Sequence, residues 1–367
     1  MGHRARGARV EQRRAPQADA EAPALHPRRR LSGPLPFLVV APLAFASALL
    51  TTPIFVKIAR TTGYLDHPDP RKSHAEPTPL LGGVAVALAL LLAAALGRAF
   101  FSIPIALPRP GFFIGAALSL GMGLLDDRRP MPPLGKLAGQ LAAALCLVLW
   151  GPQVEWIRAS PLTLAAAILG VVALLNAINF LDAMDGIVGA TVPITAAGFV
   201  AIGLLHHAPV DLILAWGLVG AGAGFLVYNA PPARIFLGDA GSHLLGFALA
   251  ALTLQALQGP PTIPHLSAVA LLLSYPLFDV IFVIVVRVVG GRPIYIGGVD
   301  HTTHRLGRRS GKWGALGIVA IAVTLNVCLG VLVWGLSDPQ PVIAAVLVSG
   351  LGYAIFWAYL GRIGPTP

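Results

Sequence analysis

The sequence predicts an all-α integral membrane protein, a polytopic bundle of about ten to eleven transmembrane helices. Of its 367 residues, 56% are hydrophobic and only 11% are charged, whereas a soluble domain carries roughly 25% charged residues. The second observation is that apolar stretches recur along the chain, near the length of about 20 residues that a helix needs to cross a bilayer. Because little chain remains for a soluble domain, residues 35–367 are predicted to form one transmembrane domain.

Eleven apolar stretches are predicted to be helical, each separated from the next by a short polar or Gly/Pro-rich link. In chain order they cover residues 35–58, 81–100, 111–125, 134–151, 160–178, 187–206, 210–228, 242–258, 264–289, 314–336 and 341–361. Cys146 and Cys328 lie inside two of them without metal-ligand or redox spacing, and are interpreted as packing residues. Residues 1–34 are rich in Arg, Ala and Pro, so they are predicted to be a basic, disordered extension.

The distribution of Lys and Arg predicts the orientation. Links on one side of the bundle, with the C-terminal tail, carry fifteen basic residues, and links on the other side carry only Arg98, Arg109 and Arg158. Since basic loops stay in the cytoplasm, the first side is predicted to be cytoplasmic. Eleven spans would then place the N-terminus outside, in conflict with the basic extension, so either one helix is misassigned or the extension begins too far upstream.

Acidic residues are sparse and lie mostly at predicted cytoplasmic helix ends: Asp126 and Asp127, Asp182 and Asp185, and Asp239. Asp279 is the exception, about two turns inside the ninth stretch. Boundary carboxylates beside glycine suit Mg²⁺, which takes oxygen ligands and bridges to substrate phosphates. Acids near the bilayer midplane would instead indicate an ion-coupled transporter. The pattern favours a phosphate substrate at the membrane surface, with a polytopic transporter as the alternative.

Two further cytoplasmic motifs fit this interpretation. A basic cluster over residues 67–74 precedes Gly82 and Gly83 at the start of the second stretch, and both cations and helix N-termini attract phosphate. The segment 229–242 combines Asn229, Phe236 and Asp239 with small residues at a helix start. Phe236 is predicted either to stack on a nucleobase or to pack in the interior.

Six stretches carry a resemblance to a known family when they are taken together and in order. They are residues 71–83, 123–128, 136–140, 176–186, 235–242 and 300–306. On these residues the chain resembles the bacterial polyprenyl-phosphate N-acetylhexosamine-1-phosphate transferases of glycosyltransferase family 4, which include phospho-N-acetylmuramoyl-pentapeptide transferase. One departure is Ala183, where the family often has glycine.

The last stretch separates branches of that family. His301-Thr302-Thr303-His304 is similar to the branch that uses UDP-N-acetylglucosamine, whereas the muramoyl-pentapeptide enzymes have three consecutive histidines. The resemblance implies Mg²⁺-dependent transfer of N-acetylglucosamine-1-phosphate from a UDP-sugar to undecaprenyl phosphate, with release of UMP, at the start of cell-wall or surface polysaccharide synthesis. Mn²⁺ is an alternative metal, and the muramoyl-pentapeptide transferase is the alternative enzyme.

The resemblance also implies a place in the cell and a set of partners. The protein would be a multi-pass protein of a bacterial plasma membrane with a cytoplasmic active site. Its partners would be the UDP-sugar, the polyprenyl phosphate and the lipid bilayer, with no nucleic acid. The oligomeric state, monomer or homodimer, stays open.

Residue roles follow from the same resemblance. Asp239 and the amide oxygen of Asn179 are predicted to bind the metal, and Asp126 and Asp127 to orient or deprotonate the lipid phosphate, with a two-step route through a carboxylate nucleophile left open. Uridine or the sugar would contact Asp182, Asp185, Asn229 and Phe236, and phosphate or sugar oxygens would contact Lys72, Lys136, His301, His304 and Arg305. Asp279 stays between a role in the site and that of a buried hydrogen-bonding acid.

Overall fold

The computed structural model describes Gly2 and residues 38–68, 76–101, 110–152, 154–259, 262–294 and 298–363. The chain divides into two units, Met1–Gly33 and Pro34–Pro367, and the features below belong to the second. The predicted extension over residues 1–34 lies outside the described residues, Gly2 apart. Lys72 and most of the basic cluster lie outside them as well.

The described part of the chain is helical apart from one small hairpin and the links. The strands β1 (Leu65–Asp66) and β2 (Thr78–Pro79) pair antiparallel, with Leu65 opposite Pro79. The helices are α1 (Val40–Thr62), α2 (Gly82–Phe101), α3 (Pro110–Arg128), α4 (Pro133–Trp150), α5 (Glu155–Arg158), α6 (Pro161–Leu181), α7 (Ile187–Leu205), α8 (Leu212–Asn229), α9 (Gly238–Ala256), α10 (Ile263–Leu272), α11 (Ser274–Val289), α12 (Thr302–Trp334) and α13 (Pro339–Arg362).

The predicted all-α membrane fold is confirmed. Each of the eleven apolar stretches is helical, and the ninth is divided between α10 and α11, which are bent by 68°. In the described residues, eight helices are long and apolar enough to cross a membrane, or nine if the bent pair is one span. Of the helices that match predicted spans, α3 and α9 are outside this group, since acidic and small polar residues dilute the apolar character of one end of each.

Local sequence explains several helix ends. Ser160 caps α6, because its hydroxyl accepts the backbone N–H of Thr163 at 3.1 Å and Pro161 occupies the first helical position. Inside α12, Gly311 has a φ of 71° and breaks the helix after its first nine residues. This break separates a short segment that begins beside His301 from the membrane-spanning part.

The core lies around α7 and α9. Of the most apolar 18 residues of each helix, 72% are buried in α7 and only 6% in α13. Helix α9 is enclosed by α2, α3 and α6, and nearly all of its residues are buried. Small residues permit this enclosure, as in other membrane helix interfaces. The first turn of α9 is therefore held by three helices that come from distant parts of the sequence.

Candidate active site

Asp239 lies in the first turn of α9, and the carboxylate of Asp127 fixes that turn. The two oxygens of Asp127 accept the backbone N–H groups of Asp239 at 2.8 Å and Ala240 at 3.1 Å. An anion at a helix N-terminus satisfies orphan donors and interacts favourably with the helix dipole. Asp127 thus acts as a cap donated by α3, which differs from the direct role toward the lipid phosphate that the sequence predicts for it.

Lys136 connects the two other acids of this cluster. Its ammonium lies 2.8 Å from Oδ2 of Asp239 and is also paired with Oδ2 of Asp126. The second oxygen of Asp126 accepts the N–H of Met131 at 2.6 Å. Two carboxylates from α3 and α9 therefore share one ammonium from α4, as the sequence grouped them.

Asn179 completes the surroundings of Asp239. Its Nδ2 donates to Oδ1 of Asp239 at 2.8 Å and to the hydroxyl of Ser242 at 3.0 Å. This arrangement turns the amide nitrogen, and not the predicted oxygen, toward Asp239. A 180° rotation of the amide group would bring the oxygen there.

The donor chemistry fits a shared Mg²⁺ site. Asp239 and Asn179 offer hard oxygen atoms, and Mg²⁺ commonly uses one or two carboxylates with substrate phosphates and water. Among the described residues, no group of three or more His, Cys, Asp or Glu is arranged to hold a metal.

A buried polar network behind Asp239 was missed by the sequence analysis. His243 donates from Nδ1 to the backbone oxygen of Asp239 at 2.7 Å, and its Nε2 accepts from the amide of Gln140 at 3.1 Å. Gln140 and Asn176 form a reciprocal amide pair, with bonds of 3.1 and 2.8 Å. The available signal was the position of His243, four residues after Asp239 and so on the same helix face.

Asp182 and Asp185 follow α6 on the side of Asp239. Burial raises the pKa of Asp182 well above its usual range, and the charges of Asp239, Asp127 and Asp185 raise it further. Such repulsion favours any cation that enters this region. Asp185 already has one, since Lys312 lies 2.9 Å from its Oδ2. Lys312 was counted in the sequence only as a topological charge.

Asn229 shapes the backbone of the site. Its Oδ1 accepts the N–H of Gly186 at 3.0 Å, and its Nδ2 donates to the carbonyl of Ile235 at 2.9 Å. The side chain is buried and both halves of its amide are used by the backbone. It therefore joins the Asp185 turn to the segment before α9, where the sequence predicts a contact with the nucleotide.

That segment also contacts the start of α2. Phe236, which is partly buried, donates its backbone N–H to Pro79, and the N–H groups of Gly82 and Gly83 donate to the carbonyls of Phe236 and Leu237 at 3.1 and 2.9 Å. The N–H groups of both glycines are therefore hydrogen-bonded within the protein. The structure thus explains the glycine pair by close packing against the segment before α9, and not by phosphate binding.

Asp279 is assigned by the structure to the base of the histidine motif. It is fully buried, and its Oδ2 lies 2.9 Å from Nδ1 of His301. Its Oδ1 accepts the N–H and the hydroxyl of Thr302 at 2.9 and 2.6 Å. Of the two alternatives left by the sequence, the structure shows the buried hydrogen-bonding acid, and it places that acid directly behind a predicted site residue.

The side chains of His304 and Arg305 point toward different parts of the protein and make different contacts. The ring of His304 lies 5.7 Å from that of His301, and His304 is close enough to Lys312 for their charges to interact. The Arg305 guanidinium instead donates to the carbonyl of Leu360 at 3.1 Å and lies over the ring of Phe282 at 5.0 Å. It therefore joins α12 to α13 and α11, and its predicted contact with substrate is replaced by an internal one.

The link before His301 is held by a second charge cluster, in which Asp300 and Arg287 are buried and Arg292 is exposed. Asp300 accepts from Arg287 at 3.2 Å and from Arg292 at 2.8 Å. Burial alone would raise the pKa of Asp300, but the hydrogen bonds from Arg292 and Arg287 outweigh it and lower the pKa. Arg287 also lies over the ring of Phe180 at 5.9 Å. From the sequence, Arg287 and Arg292 are interpreted only as basic link residues that set the orientation in the membrane.

Comparisons with known proteins identify a matching family and named relatives. Residues 110–257 match the family described as glycosyl transferase family 4. The chain is 29% identical over 277 residues to the probable undecaprenyl-phosphate N-acetylglucosaminyl 1-phosphate transferase of Bacillus subtilis, covering 72% of this chain and 76% of the relative.

Two further relatives carry names of the same kind. The decaprenyl-phosphate N-acetylglucosaminephosphotransferase of Mycobacterium tuberculosis is 32% identical over 289 residues, or 68% of this chain and 70% of the relative. The undecaprenyl-phosphate alpha-N-acetylglucosaminyl 1-phosphate transferase of Thermotoga maritima is 31% identical over 280 residues, or 74% of this chain and 82% of the relative. These alignments extend well beyond the segment matched by the family.

Proposed function

Since this chain belongs to glycosyl transferase family 4, we propose that it transfers N-acetylglucosamine-1-phosphate from UDP-N-acetylglucosamine to a polyprenyl phosphate and releases UMP. The observation that carries the proposal is the convergence of Asp126 and Asp239 on Lys136, with Asn179 bonded to the other oxygen of Asp239. This polar cluster occurs in a chain whose relatives are named for transfer to undecaprenyl or decaprenyl phosphate.

The reaction joins two anions. An oxygen of the lipid phosphate attacks the phosphorus that bears the sugar, and the bond from that phosphorus to the bridging oxygen of the UDP breaks. The lipid diphosphate sugar forms and UMP leaves. Because both reactants are phosphates, positioning and positive charge account for most of the catalysis in such transfers.

Among the described residues, Lys136 is a cation placed to assist. It contacts Asp126 on one side and Asp239 on the other, so these carboxylates set the position of the ammonium that would meet a phosphate oxygen. Asp126 would also orient the lipid phosphate, whose second pKa near 6 leaves it mostly ionised. Asp127 would act indirectly, because its carboxylate fixes the helical turn that carries Asp239.

Mg²⁺, with Mn²⁺ as the alternative, would be held by Asp239 and the amide of Asn179. When bound, it would neutralise charge on the pyrophosphate oxygens and act as a Lewis acid. His243 and Gln140 support the backbone of Asp239 from behind. These residues would keep the metal-binding carboxylate in one orientation.

The nucleotide sugar would lie between the Asp182 turn and the histidine motif. Asp182 and Asp185 would accept hydrogen bonds from uridine or the sugar, and Lys312 would bring a positive charge beside them. His301 and His304 would contact phosphate or sugar oxygens from the first residues of α12. The whole cluster lies on the basic side of the bundle, so the active site is proposed to face the cytoplasm from a bacterial plasma membrane.

The proposal is tested with purified protein in nanodiscs, polyprenyl phosphate, Mg²⁺ and a panel of UDP-sugars offered separately. The expected product is a lipid diphosphate N-acetylhexosamine identified by mass, with an equal amount of UMP. A product formed only from UDP-N-acetylmuramoyl-pentapeptide would select the alternative enzyme. Flux of a labelled solute into proteoliposomes without UMP release would select the transporter.

A further inference from the structure

Asp279 has no proposed contact with the substrate, yet it is bonded to His301, which is proposed to have one. It is fully buried in the middle of α11. A buried carboxylate is costly unless it is paired and hydrogen-bonded. Among the described residues, the basic group paired with it is His301. The carboxylate and the imidazole therefore form one unit that links α11 to the start of α12.

The hydrogen bonds of this unit determine which nitrogen of His301 carries a proton. A carboxylate only accepts, so Nδ1, which lies 2.9 Å from Oδ2 of Asp279, must be the donor. In the described part of the chain, Nε2 on the other side of the ring has no hydrogen-bond partner. The ring lies 6.0 Å from Phe180, the residue after Asn179. Nε2 is thus the atom of His301 left for a ligand.

The other oxygen of Asp279 prevents the carboxylate from rotating. Oδ1 accepts both the N–H and the hydroxyl of Thr302, and the Thr302 hydroxyl is 3.0 Å from that of Tyr275. With Oδ1 held in this way, Oδ2 can face only His301. Asp279 thereby controls the direction of the ring as well as its proton.

We infer that Asp279 is a positioning residue that keeps the proton of His301 on Nδ1 and presents the lone pair of Nε2 to the substrate. Because that lone pair can only accept a hydrogen bond, its partner is a hydroxyl of the sugar and not a phosphate oxygen. This inference rests on the proposed function for the identity of the substrate, but the proton position does not depend on it. Orientation of a histidine by a buried carboxylate is a general device for fixing tautomer and geometry.

The first test is nuclear magnetic resonance of ¹⁵N-histidine-labelled protein in nanodiscs, with the His301 signals assigned by their loss in His301→Gln. The parent protein should show a protonated Nδ1. In Asp279→Asn the new amide can donate to Nδ1, so the proton should move to Nε2. Asp211→Asn is the control, because Asp211, like Asp279, accepts backbone N–H donation at a helix start but is bonded to no histidine, and it should leave the His301 signals unchanged.

The second test is kinetic. Asp279→Asn should lower kcat/KM for the UDP-sugar by about 10- to 100-fold, the effect of one hydrogen bond to a charged group. In the His301→Gln background the same change should cost less than about threefold, since the ring it acts through is gone. Equal losses in both backgrounds would show that Asp279 acts independently and would overturn the inference.

The two tests separate the inference from the proposed function. If no UDP-sugar reacts, the proposed function fails while the resonance experiment still decides the proton position. A parent spectrum with the proton on Nε2 alone overturns the inference even if the enzyme turns over normally. That measurement needs only the parent protein and the assignment variant, so it holds if Asp279→Asn does not fold.

Discussion

Replacing Asp127 by Asn distinguishes two roles for this side chain, that of a helix cap and that of a catalytic carboxylate. Both oxygens of Asp127 accept backbone N–H groups of α9, at 2.8 and 3.1 Å. The Asn variant keeps one acceptor and loses the charge, so one charge-assisted bond is lost at about 1.5–3 kcal/mol. The favourable interaction with the helix dipole, about 0.3–1 kcal/mol, is lost as well. We expect the free energy of unfolding to fall by about 2–4 kcal/mol.

Activity should fall only indirectly. A displacement of Asp239 by up to about 1 Å would cost at most about 100-fold in kcat. Asp127→Ala, which removes both acceptors, should lower the free energy of unfolding further than Asp127→Asn does. Stability is measured by denaturant unfolding in detergent, and kcat by UMP release. Loss of more than 1,000-fold in both variants, with unchanged stability, would refute the cap and restore the catalytic role.

Three other changes have definite expected outcomes. Asp239→Asn should remove most UMP release and weaken the Mg²⁺ dependence of what remains, because it removes the proposed metal ligand. Asn229→Ala should lower the free energy of unfolding by about 2–6 kcal/mol, since it leaves two buried backbone groups unsatisfied at about 1–3 kcal/mol each, and should change KM for the UDP-sugar little. The bonds from Arg287 and Arg292 lower the pKa of Asp300, so their stabilisation is complete above the unfolded pKa of about 3.9. It should be lost as the pH falls through the lower pKa of the folded state.

The controls are chosen to match each change. Asp239→Asn must still insert and elute as the parent does, and full turnover in it would contradict the metal assignment. For Asn229, a large rise in KM with unchanged stability would restore its predicted nucleotide contact. The acid unfolding curve of Asp300→Asn should lack the contribution seen in the parent, and identical curves would contradict that role.

The sequence predicted the fold well, because a bilayer imposes a requirement that composition alone reveals. In the described residues each predicted apolar stretch is helical, with the ninth divided between two helices, and the polar links adjoin the helix ends. The 68° bend between α10 and α11 was not predicted, since it lies inside a stretch whose hydrophobicity continues without interruption. The break at Gly311 was not predicted either, since it lies in the basic link before the tenth stretch, where no helix was expected. Local backbone geometry decides such features, and hydropathy does not report it.

The sequence predicted which residues lie together in the site better than it predicted the contacts of their side chains. Asp126, Lys136 and Asp239 were grouped by resemblance, and the structure brings them together although α3 and α9 are more than 100 residues apart. The direction of each side chain was not predictable, and this is where the assignments changed. Asn229 and Arg305 carry the polar groups expected of ligand contacts, yet the backbone or a neighbouring helix uses them.

The glycines divide into two kinds, with a practical consequence for probing this protein. At Gly83 an added Cβ would collide with the backbone of Gly241, so even alanine would force α2 and α9 apart. At Gly121, Gly170 and Gly317 an added Cβ would meet nothing within 4 Å. Cysteine introduced at these open positions should accept a spin label or fluorophore without disturbing the helices. Distances between such labels would then report helix movements during turnover from outside the catalytic cluster.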